Sequence, residues 1–173
     1  RRQGINFPSF IKGGDQEDKR RAGTENIPAI AGFAKAVELD TPAEKAARQQ
    51  KYAGFKHQLL AGLTANGIDF AVNGELNPDN LQHVLNIWIK GISTYVLQMN
   101  LDLAGFAISG GSACTAGSLE PSHVLTAMYG KDSPRIEESI RISFGKDNTA
   151  AEIDNFVAAL TKIVQRVKKT VKI

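Results

Sequence analysis

The apolar residues of this chain change period at Gly67, and that switch constrains the fold more than any other feature. Before it, Ile27, Ile30, Phe33, Ala34 and Val37 recur at the spacing of one helical face up to Leu39. A second helix is predicted from Thr41, with Pro42 at its first position and Glu44 three residues after Thr41 as a capping box, to Asn66-Gly67. Its length marks it as a solvent-facing spacer. After Gly67, Ile68, Phe70 and Val72 alternate ahead of Asn73-Gly74, and residues 84–89 form a β-rich run bounded by Gly91. Ser93 then caps a helix carrying Val96, Leu97, Leu101 and Leu103, Gly105 stops it, and residues 106–108 read as a short strand. Pro121 opens a helix through Met128, and residues 138–144 form a strand with Ile140, Ile142 and Phe144 on one face. A last amphipathic helix carries Ile153, Phe156, Val157, Leu160, Ile163, Val164 and Val167, with Lys168, Lys169 and Lys172 near its negative dipole end. This order predicts an α+β layer, a small mixed or antiparallel sheet with helices packed on it.

Size and composition fit such a layer. At 173 residues and 42% apolar content, roughly 70% of the unfolded surface is buried on folding, enough for a core without disulfides or metals. Apolar stretches such as residues 85–89 fall far short of the roughly 18 residues of a membrane span. The net charge of +3, with Lys and Arg interspersed among Asp and Glu, argues against nucleic-acid binding as the main task. One cysteine allows no internal disulfide and suits a reducing, cytoplasmic setting. The chain opens Arg1-Arg2-Gln3-Gly4, without a Met, and reads as a piece of a longer polypeptide.

Three stretches can carry chemistry. Cys114 lies in residues 109–118, which contain only Ser, Gly, Ala, Thr and this one Cys. A lone cysteine is most often a small buried hydrophobe, but its neighbours here are tiny or hydroxylated, the composition of a loop on which a thiol can reach and withdraw. Its thiolate needs a cationic neighbour or a helix N-terminus, and the helix opened by Pro121 is the nearest candidate. Arg141 is flanked by Ser139 and Ser143 on the polar side of its strand. That side is either a solvated sheet face or a clamp in which a guanidinium grips a carboxylate through two parallel hydrogen bonds. Residues 19–26, Lys-Arg-Arg-Ala-Gly-Thr-Glu-Asn, precede the first helix and make either a phosphate site or an ordinary N-cap with a charge run. His57, His83 and His123 have no zinc-ligand pattern around them; a Cys114–His123 pair would require the loop to fold back and lacks a third orienting group.

Taken together, Gly13-Gly14-Asp15-Gln16-Glu17, Arg21-Ala22-Gly23-Thr24-Glu25-Asn26, the run from Gly111-Ser112-Ala113-Cys114-Thr115 to His123-Val124-Leu125, and Ser139-Ile140-Arg141-Ile142-Ser143-Phe144-Gly145 resemble the C-terminal part of the pyridoxal-phosphate-dependent cysteine desulfurases. These are the NifS/IscS-like members of the class V aminotransferase superfamily. The resemblance covers essentially the whole chain. It implies that Cys114 attacks the sulfur of L-cysteine held on pyridoxal phosphate, keeps it as a persulfide and releases L-alanine. It implies that Arg141 binds the substrate carboxylate, and that Gly23 and Thr24 meet the cofactor phosphate of the other subunit of a homodimer. Residues 1–26 would then belong with a cofactor-binding large domain, and residues 27–173 would form the C-terminal small domain of a fold-type I enzyme. The expected partner is a sulfur-acceptor protein such as an iron–sulfur scaffold, with no direct role for nucleic acid or membrane.

Departures from the family pattern matter equally. Asp15 stands where a third glycine is usual, and Asp18-Lys19 where the family has a glycine-containing stretch. The Ser-x-His-Lys segment that holds the cofactor is absent, and the only His beside a Lys is Lys56-His57, in the reverse order. The chain by itself is therefore expected to bind pyridoxal phosphate weakly and to lack desulfurase activity. Competing readings are a selenocysteine lyase or another class V relative, and a non-enzymatic persulfide-relay or interaction module.

Overall fold

In the computed structural model, residues 8–110 and 122–171 are described. The chain divides into two compact units, residues 1–45 and residues 46–173.

The first unit begins with a helical turn, α1 (Gln16–Lys19). Glu17, Asp18 and Lys19 there adopt left-handed backbone with φ of 52°, 53° and 63°, a region that side chains with a Cβ enter at a cost and glycine enters freely. This is where the usual glycine-containing stretch is replaced. Helix α2 (Ile27–Leu39) follows, with Asn26 as its N-cap accepting from Ala29 N at 3.1 Å and Pro28 in the first turn. Its apolar stripe forms as the periodicity predicts, yet no residue of α2 is buried. Thr41 caps α3 (Pro42–Ala65), its hydroxyl accepting from Glu44 N at 3.2 Å.

Helix α3 runs on into the second unit, where it corrects the expected spacer. Tyr52, Phe55, Leu59 and Leu63 are buried at three- and four-residue spacing. The many Lys, Arg and Gln residues on the other faces dilute this narrow stripe when the helix is read as a whole. Gly62 lets α3 approach α7 (Ala150–Val171) closely, since a Cβ there would stand 2.9 Å from Val157 Cγ1.

The sheet contains β1 (Phe70–Val72), β2 (Val84–Ile89) and β3 (Ser139–Ser143) in that order, all antiparallel. The expected strand at 106–108 is not one. Phe106 N is taken by Leu101 O at 2.8 Å, closing helix α4 (Thr94–Leu103), so only Ser109 reaches β3 as a single bridge opposite Arg141. The side chains of Phe106 and Ile108 pack on the core nonetheless. After residue 121, Ser122 caps α5 (His123–Tyr129) through Leu125 N at 3.3 Å. A further turn, α6 (Arg135–Glu138), absorbs Glu138, so the strand expected from residue 138 begins at Ser139.

Strand alternation gives the sheet two chemically different faces. Leu85, Ile87, Ile89, Ile140 and Ile142 are buried on one, in a cluster with Leu59 and Leu63 of α3, Leu97 and Leu101 of α4, and Phe156, Leu160 and Val164 of α7. Burying each such side chain stabilises the fold by about 1.5–3 kcal/mol. The opposite face carries Asn86, Trp88, Ser139 and Arg141, and it holds the candidate site.

Candidate active site

Asn86 and Arg141 are cross-strand partners in the β2–β3 register. With Asn73, Ser122, His123, Val124, Leu125 and Met128 they line a cleft of about 470 Å³. Arg141 is half-buried, and its Nε is fully buried without a hydrogen-bond partner. Among the described residues, none accepts a hydrogen bond from its guanidinium and no carboxylate pairs with it. A buried, unpaired guanidinium donor is costly, and an arriving carboxylate relieves that cost. The two flanking serines separate in role: Ser139 is wholly buried, whereas Ser143 is exposed.

The backbone ties this cleft to the cysteine-containing segment. Ser109 N donates to Arg141 O at 3.1 Å and Arg141 N to Ser109 O at 2.6 Å. Gly110 follows, pressed so closely against α4 that a Cβ would collide with Thr94 Cγ2. At the other end, Ser122 both caps α5 and lines the cleft. The described chain thus runs beside the Arg141 backbone up to Gly110 and reaches the cleft again at Ser122. Cys114 itself lies outside the described residues.

Gly23 and Thr24 lie in the first unit. Gly23 has φ of 108° and its N–H donates to Gln16 Oε1 at 3.2 Å, while Thr24 is exposed. Arg21 is held by Glu25 and by Gly23 O at 2.8 Å. At the start of α2, Ile27 N bonds Glu25 O at 3.0 Å, Pro28 has no N–H, and Ala29 N is capped by Asn26. The Ile27 and Ala29 N–H donors at this helix start are therefore used internally, whereas Thr24 is open to solvent.

Lys56 does not line the cleft. Its Nζ donates to Leu81 O at 3.4 Å, and partial burial lowers the pKa of its ammonium by desolvation. The cleft lining holds no lysine and no carboxylate among the described residues. Pyridoxal phosphate needs an amine to hold its aldehyde and an acid beside its ring nitrogen, so the cleft residues fit a carboxylate but not the cofactor.

Sequence reasoning missed Asn86 in the cleft and Arg135 behind it, which bonds to the cleft residue Asn73. Asn86 interrupts an otherwise apolar strand run, and a polar residue in such a run is the signal that could have found it. Arg135 lay hidden because its partners stand far away in the chain. Its guanidinium sits 4.7 Å from the Trp88 ring centroid and 4.4 Å from that of Tyr129.

Comparisons with known proteins give the family of the chain. The aminotransferase class-V profile matches residues 5–156, and the chain belongs to that family. It is 48% identical over 162 residues to "Putative cysteine desulfurase IscS 1" of Bacillus subtilis, covering 94% of this chain and 42% of that protein. It is 40% identical over 167 residues to a cysteine desulfurase of Nostoc, covering 96% of this chain and 41% of that one. Among solved structures, a NifS-like protein superposes with a TM-score of 0.73 at 30% identity, covering 95% of this chain and 41% of the other. The chain thus spans about two-fifths of the length of the relatives it matches.

Proposed function

We propose that this chain is the C-terminal part of a cysteine desulfurase that takes sulfur from L-cysteine as a persulfide on Cys114 and leaves L-alanine. The observation that carries the reading is that the described chain flanks the Cys114 segment with Ser109, paired through its backbone to Arg141, and with Ser122, which lines the cleft where the Arg141 Nε has no partner among the described residues. Arg141 grips the substrate carboxylate through paired N–H donors, and a thiol on the intervening segment can visit the bound amino acid. The reaction balances without an external reductant. The substrate C–S bond becomes C–H, the Cys114 S–H becomes S–S, and the protons are exchanged between them.

Gly23 and Thr24 contribute to the cofactor phosphate site of a partner subunit in this reading, and residues 1–26 associate with a cofactor domain. The cysteine desulfurases among the matched relatives support the choice of substrate. The product persulfide supplies an acceptor protein for iron–sulfur assembly or thiolation in the cytoplasm.

Two measurements test the reading. Pyridoxal phosphate added to the purified 173-residue chain is expected to give no stoichiometric, borohydride-sensitive visible absorbance; such a signal would sink the claim that the chain alone does not hold the cofactor. In a polypeptide that continues upstream of Arg1 through a Ser-x-His-Lys segment, Cys114→Ala is expected to abolish alanine release from L-cysteine. Retained turnover removes Cys114 from the reaction.

A further inference from the structure

We propose that Asn86 is a second carboxylate-recognising residue in the cleft, and that Arg135 acts through Asn73 to keep its amide donor turned toward the ligand. The inference rests on the reading of Arg141 as a carboxylate clamp and adds to it a direction of hydrogen bonding.

The argument follows donors and acceptors along the chain of contacts. A guanidinium can only donate. Arg135 Nη1 donates to Val72 O at 3.3 Å and to Asn73 Oδ1 at 2.6 Å. With its oxygen so engaged, Asn73 turns Nδ2 the other way, donating to Asn86 Oδ1 at 2.6 Å and to Ser139 Oγ at 2.8 Å. Asn86 therefore has its oxygen occupied, and the atom left over is Nδ2, a donor. Asn86 lines the cleft beside its cross-strand partner Arg141. Two donors then stand side by side on one wall, the complement of a carboxylate's two oxygens.

Arg135 is itself held by two aromatic rings and by the two acceptors of its Nη1. It lies between the Trp88 and Tyr129 rings. Trp88 Nε1 donates to Glu138 Oε2 at 2.6 Å, and Gly91 N donates to the same oxygen at 2.9 Å. The Tyr129 hydroxyl accepts from Gly74 N at 3.0 Å. Because a guanidinium cannot accept, the Arg135–Asn73–Asn86 chain has one direction of donation, and the amide direction at its end is built in.

The test uses the isotope-labelled 173-residue chain and acetate as the probe, with chloride at matched ionic strength as the control. The Asn86 side-chain amide and the Arg141 Nε–H resonances are expected to move together on one saturating acetate curve. Asn73→Asp keeps a partner for Arg135 but offers Asn86 only acceptors, so Asn86 turns its amide inward and presents oxygen to the cleft. Acetate affinity is expected to fall about tenfold, with Arg141 still responding. Asn86→Val removes the amide without reversing it and serves if the first variant fails to fold; the same loss is expected. Arg135→Gln, which can donate or accept, is expected to lose the Asn86 response, and Arg135→Lys, which can only donate, to restore it. If Arg141 responds while Asn86 does not, if neither Asn73→Asp nor Asn86→Val changes the affinity, or if Arg135→Gln leaves the Asn86 response intact, the relay is overturned and the clamp stands. If neither resonance moves in the unaltered chain, the clamp reading falls and the relay with it.

Discussion

Helices α2 and α7 carry the same kind of sequence signal and meet opposite fates. In α7 the periodic positions Ile153, Phe156, Val157, Leu160, Ile163 and Val164 are all buried against the sheet and its helices. In α2 the equivalent stripe of Ile27, Ile30, Phe33 and Val37 stays 63%, 52%, 72% and 61% exposed. Periodicity states that a face requires cover; it does not say what covers it. The burial of α7 follows from a sheet that presents a matching apolar face, and α2 finds no such surface among the described residues.

The sharpest way to break this comparison is to truncate one residue in each stripe. Leu160→Ala is expected to cost about 3 kcal/mol, because it removes a wholly buried side chain and leaves a cavity. Phe33→Ala is expected to stay within about 0.5 kcal/mol, as for other exposed sites. Urea unfolding of both variants measures the difference; equal costs would show that the α2 stripe is covered in solution. A smaller effect, about 1–3 kcal/mol, is expected for Gly62→Val, which forces extra volume between α3 and Val157. No loss of stability in thermal unfolding would mean that the two helices are not in close contact.

The mildest test concerns how α7 starts. Thr149 N donates to Glu152 Oε2 at 2.7 Å and Glu152 N to Thr149 Oγ1 at 3.3 Å, a reciprocal capping box. The backbone bond from Thr149, followed by the Asn148 side chain, lowers the Glu152 pKa below its ordinary value. A lowered folded-state pKa gives stability that is present above the unfolded value, about 4.3, and is lost as pH falls through the folded one. Glu152→Gln is therefore expected to lower the melting temperature slightly at pH 7 and to flatten its decline in acid. A variant whose acid decline matches that of the parent would remove the cap from the pH response.

The correspondence between sequence and structure follows how far apart the interacting residues lie. The cap at Thr41, the alternation of Ile140 and Ile142, and the stripe of α7 are governed by neighbours a few positions away, and these were legible, whereas Ser93, expected to cap α4, makes no side-chain cap bond. The buried half of α3 was obscured because its stripe occupies one narrow face among many charged and amide side chains. Residues 106–108 looked like a strand from their apolar character, yet closing α4 took the Phe106 N–H before a ladder could form. Arg141 was legible as a candidate from its residue type on a polar strand face. That the face is a covered cleft and not a wetted one required α5 to lie over it, from a part of the chain beyond the Cys114 segment.

By itself, the sequence determined which segments adopt helical or extended backbone, which faces require cover, and the presence of a thiol, a guanidinium and a helix-start threonine, because each of these is a local property of a few residues. Only the tertiary structure decided that Arg141 keeps a buried donor without a partner among the described residues, that Ser109 pairs with its backbone while Ser122 lines its cleft, and that Arg135 turns the Asn73 and Asn86 amides in one direction. Those outcomes join residues as much as 66 positions apart. An amide has no preferred direction until distant partners give it one.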